Sequence, residues 1–210
     1  SIQQGVEMIK AVRRTGRIVQ IGMQRRSSPI CHEIKKFFED ELLGEIHLVR
    51  AEWYWYSRIN PNVRVQRDKL DWERFCGPAG KQEYSPLKFR YWRYYWPFSG
   101  GNETDQGTHL MDVVQWMMGV DRPISALQFG DVYQNKPTET PDTFCCTFEY
   151  PGFLCTWTLC YTTNTWRDGW SICFQGSKAS LFLNEDGYRI FNRRSSWRGG
   201  LPKPLKENLP

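Results

Sequence analysis

Apolar positions along the chain recur first with the period of a helix and later with that of a strand. Near the start, Val6, Ile9 and Val12 mark one helical face, and Arg17 to Met23 read as a short strand. Ile30, Ile34, Phe37, Phe38 and Leu42 return at helical spacing, which predicts a second helix ended by Gly44. Glu45 to Ser57 reads as a long strand. Arg58 to Ser99, broken by prolines at 61, 78, 86 and 97, predicts an irregular stretch with short helical turns. Over residues 104–118, Leu110, Val113, Val114 and Met117 fall on one stripe of a helix, while Asp105, His109, Asp112 and Trp116 fall on the other. Beyond Ile124 the period changes to two, and strands are predicted at 125–133, 142–150, 153–162, 169–175, 179–183 and 188–191. Tyr150-Pro151-Gly152 and Asp186-Gly187 are turn sequences, so neighbouring strands should run antiparallel. The order predicts an α+β fold: an open, mainly antiparallel sheet with helices on one face. Leu201 to Pro210 is proline-rich and shows no packing periodicity.

The polar stripe of the 104–118 helix carries the clearest chemistry. Ser99-Gly100-Gly101 frees the backbone before it, and Asn102 with Asp105 three residues on reads as a capping arrangement. His109 then lies one turn after Asp105. Imidazole titrates near neutrality, and a carboxylate one turn away can fix its tautomer and stabilise its charged form, which suits proton transfer. Two other readings stand beside it. One is a core histidine next to a helix-capping aspartate; the other takes Asp105, His109 and Asp112 as metal ligands, although no second histidine or cysteine run accompanies them. No metal is expected.

Composition narrows the function classes. At 210 residues, 40% hydrophobic and 24% charged, the chain can build one sizeable core, and no stretch is long and apolar enough to span a membrane. The net charge of +5 comes in good part from scattered residues and the pairs Arg13-Arg14, Arg25-Arg26 and Arg193-Arg194, a pattern of solvated faces rather than of a nucleic-acid surface. None of the seven cysteines stands in a CxxC pair. They alternate with large apolar residues, Cys146 with Phe144 and Phe148, and Cys155 with Phe153, Trp157, Leu159 and Tyr161, as core-facing strand residues do. Unpaired thiols of this kind favour a reducing, cytoplasmic setting, with periplasmic export left open. Ten tryptophans are present, and Tyr91, Trp92, Tyr94, Tyr95, Trp96 and Phe98 crowd before the glycine pair with Arg90 and Arg93 among them. Such rings fill a core or interface, or form the platform on which a sugar's C–H face rests. Arg93, Tyr94 and Tyr95 are the substrate-side candidates. Trp53, Trp55, Trp157 and Trp170 are read as candidates for an oligomer face.

The segments RTGRIVQIGMQRRSSP, LDWERFCGPA, YWRYYWPFSGG, GGNETDQGTHLMDVVQWMMG and TPDTFCCTFEYPG together resemble the Gfo/Idh/MocA family of two-domain NAD(P)-dependent sugar and polyol oxidoreductases. Gly100, Gly101, Asp105, Gly107, His109 and Asp112 match the family's signature in order and spacing. The resemblance covers nearly the whole chain. Two family features do not occur in it: the glycine-rich dinucleotide turn and the Glu-Lys-Pro segment that carries a catalytic lysine.

The resemblance implies a division at residue 24. Residues 1–24 would be the last helix and strand of a Rossmann domain, and residues 25–210 the substrate, catalytic and oligomerisation domain, both cut from a longer enzyme. It implies hydride transfer between a sugar or polyol carbon and NAD or NADP, with His109 as base, Asp105 orienting it, and Asp112 on the substrate side. Gln24 and Arg26 would enter the cleft at the cofactor's nicotinamide end, although arginines at a crossover also pair with carboxylates. Redox-assisted glycoside hydrolysis and a non-catalytic carbohydrate-binding or assembly module are the alternatives. A homo-oligomer through the open sheet is expected, as Leu154, Cys160 and Cys173 alternate onto the face away from the core.

Overall fold

The computed structural model describes residues 2–163, 169–192 and 204–208. Helix α1 (Ile2–Thr15) buries no residue. After it, residues 17–23 form no strand, which corrects the expectation from their apolar run. A strand exists only where another backbone accepts and donates its hydrogen bonds, and no described segment pairs with this one. Ile18 is accordingly 98% exposed. A turn of 3-10 helix (Gln24–Ser27) leads to α2 (Pro29–Glu39), which Pro29 starts at its first position. α2 ends five residues before Gly44, and Leu43 rather than Leu42 is buried.

β1 (Ile46–Tyr54) is followed by the irregular stretch expected from the prolines, holding α3 (Trp72–Cys76) and α4 (Pro86–Arg90). α5 (Gly101–Met118) comes next and ends at Gly119 in the left-handed conformation. The remaining strands are β2 (Ser125–Asp131), β3 (Thr143–Tyr150), β4 (Phe153–Cys160), β5 (Gly169–Gly176), β6 (Ala179–Asn184), β7 (Gly187–Asn192) and β8 (Lys206–Asn208). β8 lies in the segment read as unpatterned. All three of its residues are exposed, so it joins the sheet through its backbone alone, and apolar periodicity could not reveal it. Pro151-Gly152 makes the β3–β4 turn, whereas Glu185-Asp186 makes the β6–β7 turn and Gly187 opens β7.

The sheet is open, with strand order β2-β3-β4-β1-β5-β6-β7-β8. Every neighbouring pair is antiparallel except β1–β4. Val49 stands opposite Cys155 and Phe174, and Ala51 opposite Trp157 and Ile172, which sets one continuous apolar face. α2 and α5 cover that face: Phe38 meets Phe174 edge-on, Phe37 meets Tyr188, and the Trp157 indole donates to the carbonyl of Glu103 at 3.0 Å. Leu110, Val113, Val114 and Met117 of α5 are buried as the stripe predicted, while Asp105, His109, Asp112 and Trp116 are half-buried. The cysteines read as core residues, Cys146 and Cys155, are buried there too. Among the described residues no helix is long and apolar enough to cross a membrane.

Candidate active site

α5 starts earlier than its apolar stripe suggested. Gly100 occupies the N-cap without a side-chain cap, and Asn102, expected to cap, is buried in the first turn and donates to the hydroxyl of Tyr94 at 3.2 Å. Gly101 is required: its φ is 76°, and a Cβ there would lie 2.7 Å from Thr140. A Cβ on Gly107 would lie 2.9 Å from the Trp157 Nε1, so the helix rests directly on β4. These two contacts fix how far the polar stripe stands above the sheet.

On that stripe the structure distributes charge differently from the expected histidine–aspartate pair. Asp105 accepts from Arg93 Nε at 3.0 Å and from Gln106 Nε2 at 3.5 Å. Asp112 takes the Arg26 guanidinium as a fork, with Nε at 2.9 Å and Nη2 at 2.8 Å. That hydrogen bond raises the Arg26 pKa. Each carboxylate flanking His109 therefore has an arginine, and the buried Nδ1 of His109 has no hydrogen-bond partner among the described residues. Arg26, expected on the cofactor side, is held against α5. Its guanidinium also lies 5.4 Å over Trp116, which His32 meets edge-on. Gln24 is exposed at the head of the 3-10 turn.

The aromatic candidates separate. Tyr94 stacks on Tyr161 at 5.2 Å and on Tyr91 at 6.4 Å, and Tyr161 stacks on Trp55, which meets Trp53 edge-on. Tyr95 instead is buried and donates its hydroxyl to the Pro137 carbonyl at 2.6 Å, so it holds the loop rather than facing a ligand. Arg93 lies over the ring of Trp92 while pairing with Asp105. Trp53, Trp55, Trp157 and Trp170 were read as an oligomer face. They lie on the helix side instead, because they share strand parity with Val49, Ala51 and Leu159.

Sequence reasoning missed Arg25. Arg26 turns to α5, while Arg25 turns the other way and lies between two rings, 3.7 Å over Trp170 and 5.6 Å from Trp53. Burial lowers its pKa, and among the described residues its Nε has no hydrogen-bond partner. Beside it a cleft of about 300 Å³ is lined by Ser28, Cys31 and Asn184, whose buried Oδ1 likewise has no partner among the described residues. An arginine pair at a crossover was visible in sequence; which ring each arginine meets was not.

An imidazole with a free buried nitrogen, carboxylates already neutralised on both sides, and a run of stacked rings together suit binding a polyhydroxylated molecule and accepting one of its hydroxyl protons.

Comparison with known proteins bears on this site. Residues 31–182 match the family model of the GFO/IDH/MocA C-terminal domain. Among solved structures, an inositol dehydrogenase homolog from Azotobacter vinelandii, complexed with NADH and myo-inositol, superposes with a TM-score of 0.70 at 14% identity. It covers 100% of this chain and 47% of its own. Levoglucosan dehydrogenase in complex with NADH gives 0.68 at 14% identity, covering 97% and 50%. The WlbA dehydrogenase of Bordetella pertussis, with NADH and UDP-GlcNAcA, gives 0.60 at 19% identity, covering 88% and 49%. The chain thus spans about half the length of these proteins, and at such identities the likeness is one of fold. No curated protein matches the chain significantly.

Proposed function

The chain belongs to the GFO/IDH/MocA family, and from that premise we propose that it is the substrate-binding and catalytic half of an NAD(P)-dependent oxidoreductase acting on a sugar or polyol hydroxyl. The observation that carries this reading is His109: a half-buried imidazole on a helix whose neighbouring acids are both occupied by arginines. A substrate hydroxyl would meet the open part of the ring, and the imidazole would take its proton. When bound, the nicotinamide supplies the acceptor for the hydride leaving the same carbon. Asp105, fixed in place by Arg93, stands one turn from His109 and would orient the imidazole. Tyr94, Trp55 and Trp53, backed by the fully buried Tyr161, form the wall against which a sugar ring would rest.

In this reading residues 1–24 close a dinucleotide-binding domain, and residues 25–210 form the domain that carries the substrate. The described residues offer a dinucleotide little: Gln24 has an exposed amide, and Arg26 is committed to Asp112. In this reading the dinucleotide would be held mainly by the domain that residues 1–24 close. The seven cysteines are free thiols, which supports a reducing, cytoplasmic setting.

The sheet face turned away from the helices supports assembly into a homo-oligomer. Leu154 is 47% exposed and Phe129 71%, with Leu127 beside them, and Leu48, Tyr54, Cys160, Cys173 and Phe182 share that face. A second copy laid against it would bury these side chains.

The test uses the whole enzyme and a panel of sugars and polyols, followed by nicotinamide reduction. Wild type should reduce cofactor with at least one of them, and His109→Asn should turn over about a hundredfold to ten-thousandfold more slowly with dinucleotide affinity unchanged. Full turnover in the variant would overturn the assignment.

A further inference from the structure

α5 has a second flank. Opposite the Asp105–His109 stripe, Glu103, Thr108 and Met111 form one wall of a cleft of about 300 Å³, whose other wall is Phe144 and Phe148 of β3 and Trp157 of β4. Gly107 leaves the inner end to the Trp157 indole. Thr104, Thr108 and Gln128 add neutral polar groups, and Glu103 is the one ionisable side chain among the lining residues. Glu103 is only 9% exposed, and its Oε2 is buried with no hydrogen-bond partner among the described residues. Burial alone pushes this carboxyl above the usual carboxylate range, as expected for an acid without a counter-charge.

A buried acid left unpaired costs free energy, and the fold had apolar residues available for the position. Three aromatic rings and one carboxyl line the same cleft, and together they recognise a particular chemistry. Ring faces and carboxylate both attract a cation, and the rings require that it be carried on hydrocarbon. A metal ion would need several strong ligands, and among the lining residues Glu103 is the one carboxylate, with no histidine or cysteine beside it. The volume matches a ligand of about ten heavy atoms, at the small end of ligand pockets. We propose that this cleft is a binding site for a small arylalkyl ammonium, its cationic head on the Glu103 carboxylate and its ring against Phe144, Phe148 and Trp157.

Phenethylammonium and its neutral isostere 2-phenylethanol, titrated calorimetrically into the protein near neutral pH, separate this site from a merely greasy cleft. The ammonium should bind about ten- to a hundredfold more tightly than the alcohol, the worth of a charged hydrogen bond. Glu103→Gln should erase the preference. Thr108→Trp, at the exposed lip and outside the core, should block both ligands. Equal affinities in wild type, no binding of the ammonium up to millimolar concentration, or a preference that survives Glu103→Gln would each overturn the proposal. The readout is binding rather than turnover, so it stands apart from the oxidoreductase reading.

Discussion

Asp105 and Asp112 flank His109, and each already has an arginine, so the role of Asp105 depends on Arg93 as much as on the histidine. Arg93→Ala in the whole enzyme should therefore lower turnover while leaving the melting temperature nearly unchanged, since an exposed ion pair contributes little stability. A melting temperature that fell with turnover intact would mark the pair as structural. Two carboxyls give opposite pH signatures. Glu33 accepts from Tyr188 and Asn208 and lies by Lys206, and these hydrogen bonds hold its pKa below the ordinary value. Its stabilisation is present above about pH 4.3 and is lost as pH falls through the depressed folded value. The stability gap between wild type and Glu33→Gln should be constant at neutral pH and close on acidification. Glu103 runs the other way. Its folded pKa is raised, so stability declines as pH rises from the ordinary carboxyl range to the raised value. Glu103→Gln should consequently raise the denaturant midpoint at pH 7, and a lowered midpoint would show that the carboxylate has a partner in solution.

At the scale of elements, α5 is positioned by what its glycines omit. Gly107→Ala puts a methyl 2.9 Å from the Trp157 Nε1, which itself donates to the Glu103 carbonyl, so neither ring nor helix can move without losing that bond. We expect a loss of about 1–3 kcal/mol in chemical denaturation. Gly101→Ala adds a left-handed backbone penalty to a contact with Thr140 and should cost at least as much. Because the same helix carries His109, both variants should also lower turnover per folded molecule; turnover unchanged beside a lower midpoint would separate the helix's stability from its catalytic placement.

For the whole molecule the sheet has one covered face and one open one. Leu154, Leu127 and Phe129 on the open face lie outside the core, so Leu154→Lys should leave the fold intact while weakening a face-to-face assembly. Light scattering at micromolar concentration should give the mass of a dimer or larger for wild type, and a smaller mass for Leu154→Lys. A monomeric wild type would count against assembly through this face.

Periodicity was enough to locate β2 to β7, to separate the two stripes of α5, and to mark Cys146 and Cys155 as inward-facing. Burial of alternate residues is a local consequence of backbone geometry, so it is written in the chain. The stripe Asp105, His109 and Asp112 was legible for the same reason, since helical spacing carries residues three and four apart onto one face, whereas Gly100, Gly101 and Gly107 stood out only by family resemblance. Partners distant in sequence were not legible. Arg26 reaches Asp112 across 86 positions, Arg25 finds Trp170, and Tyr95 spends its hydroxyl on Pro137. Each of those choices depends on strand order and on the parallel β1–β4 pairing, which place side chains that no local pattern relates. The same cause removes the strand read at Arg17 to Met23 and adds β8. A strand is made by its neighbour's backbone, and apolar residues alone do not say whether that neighbour exists.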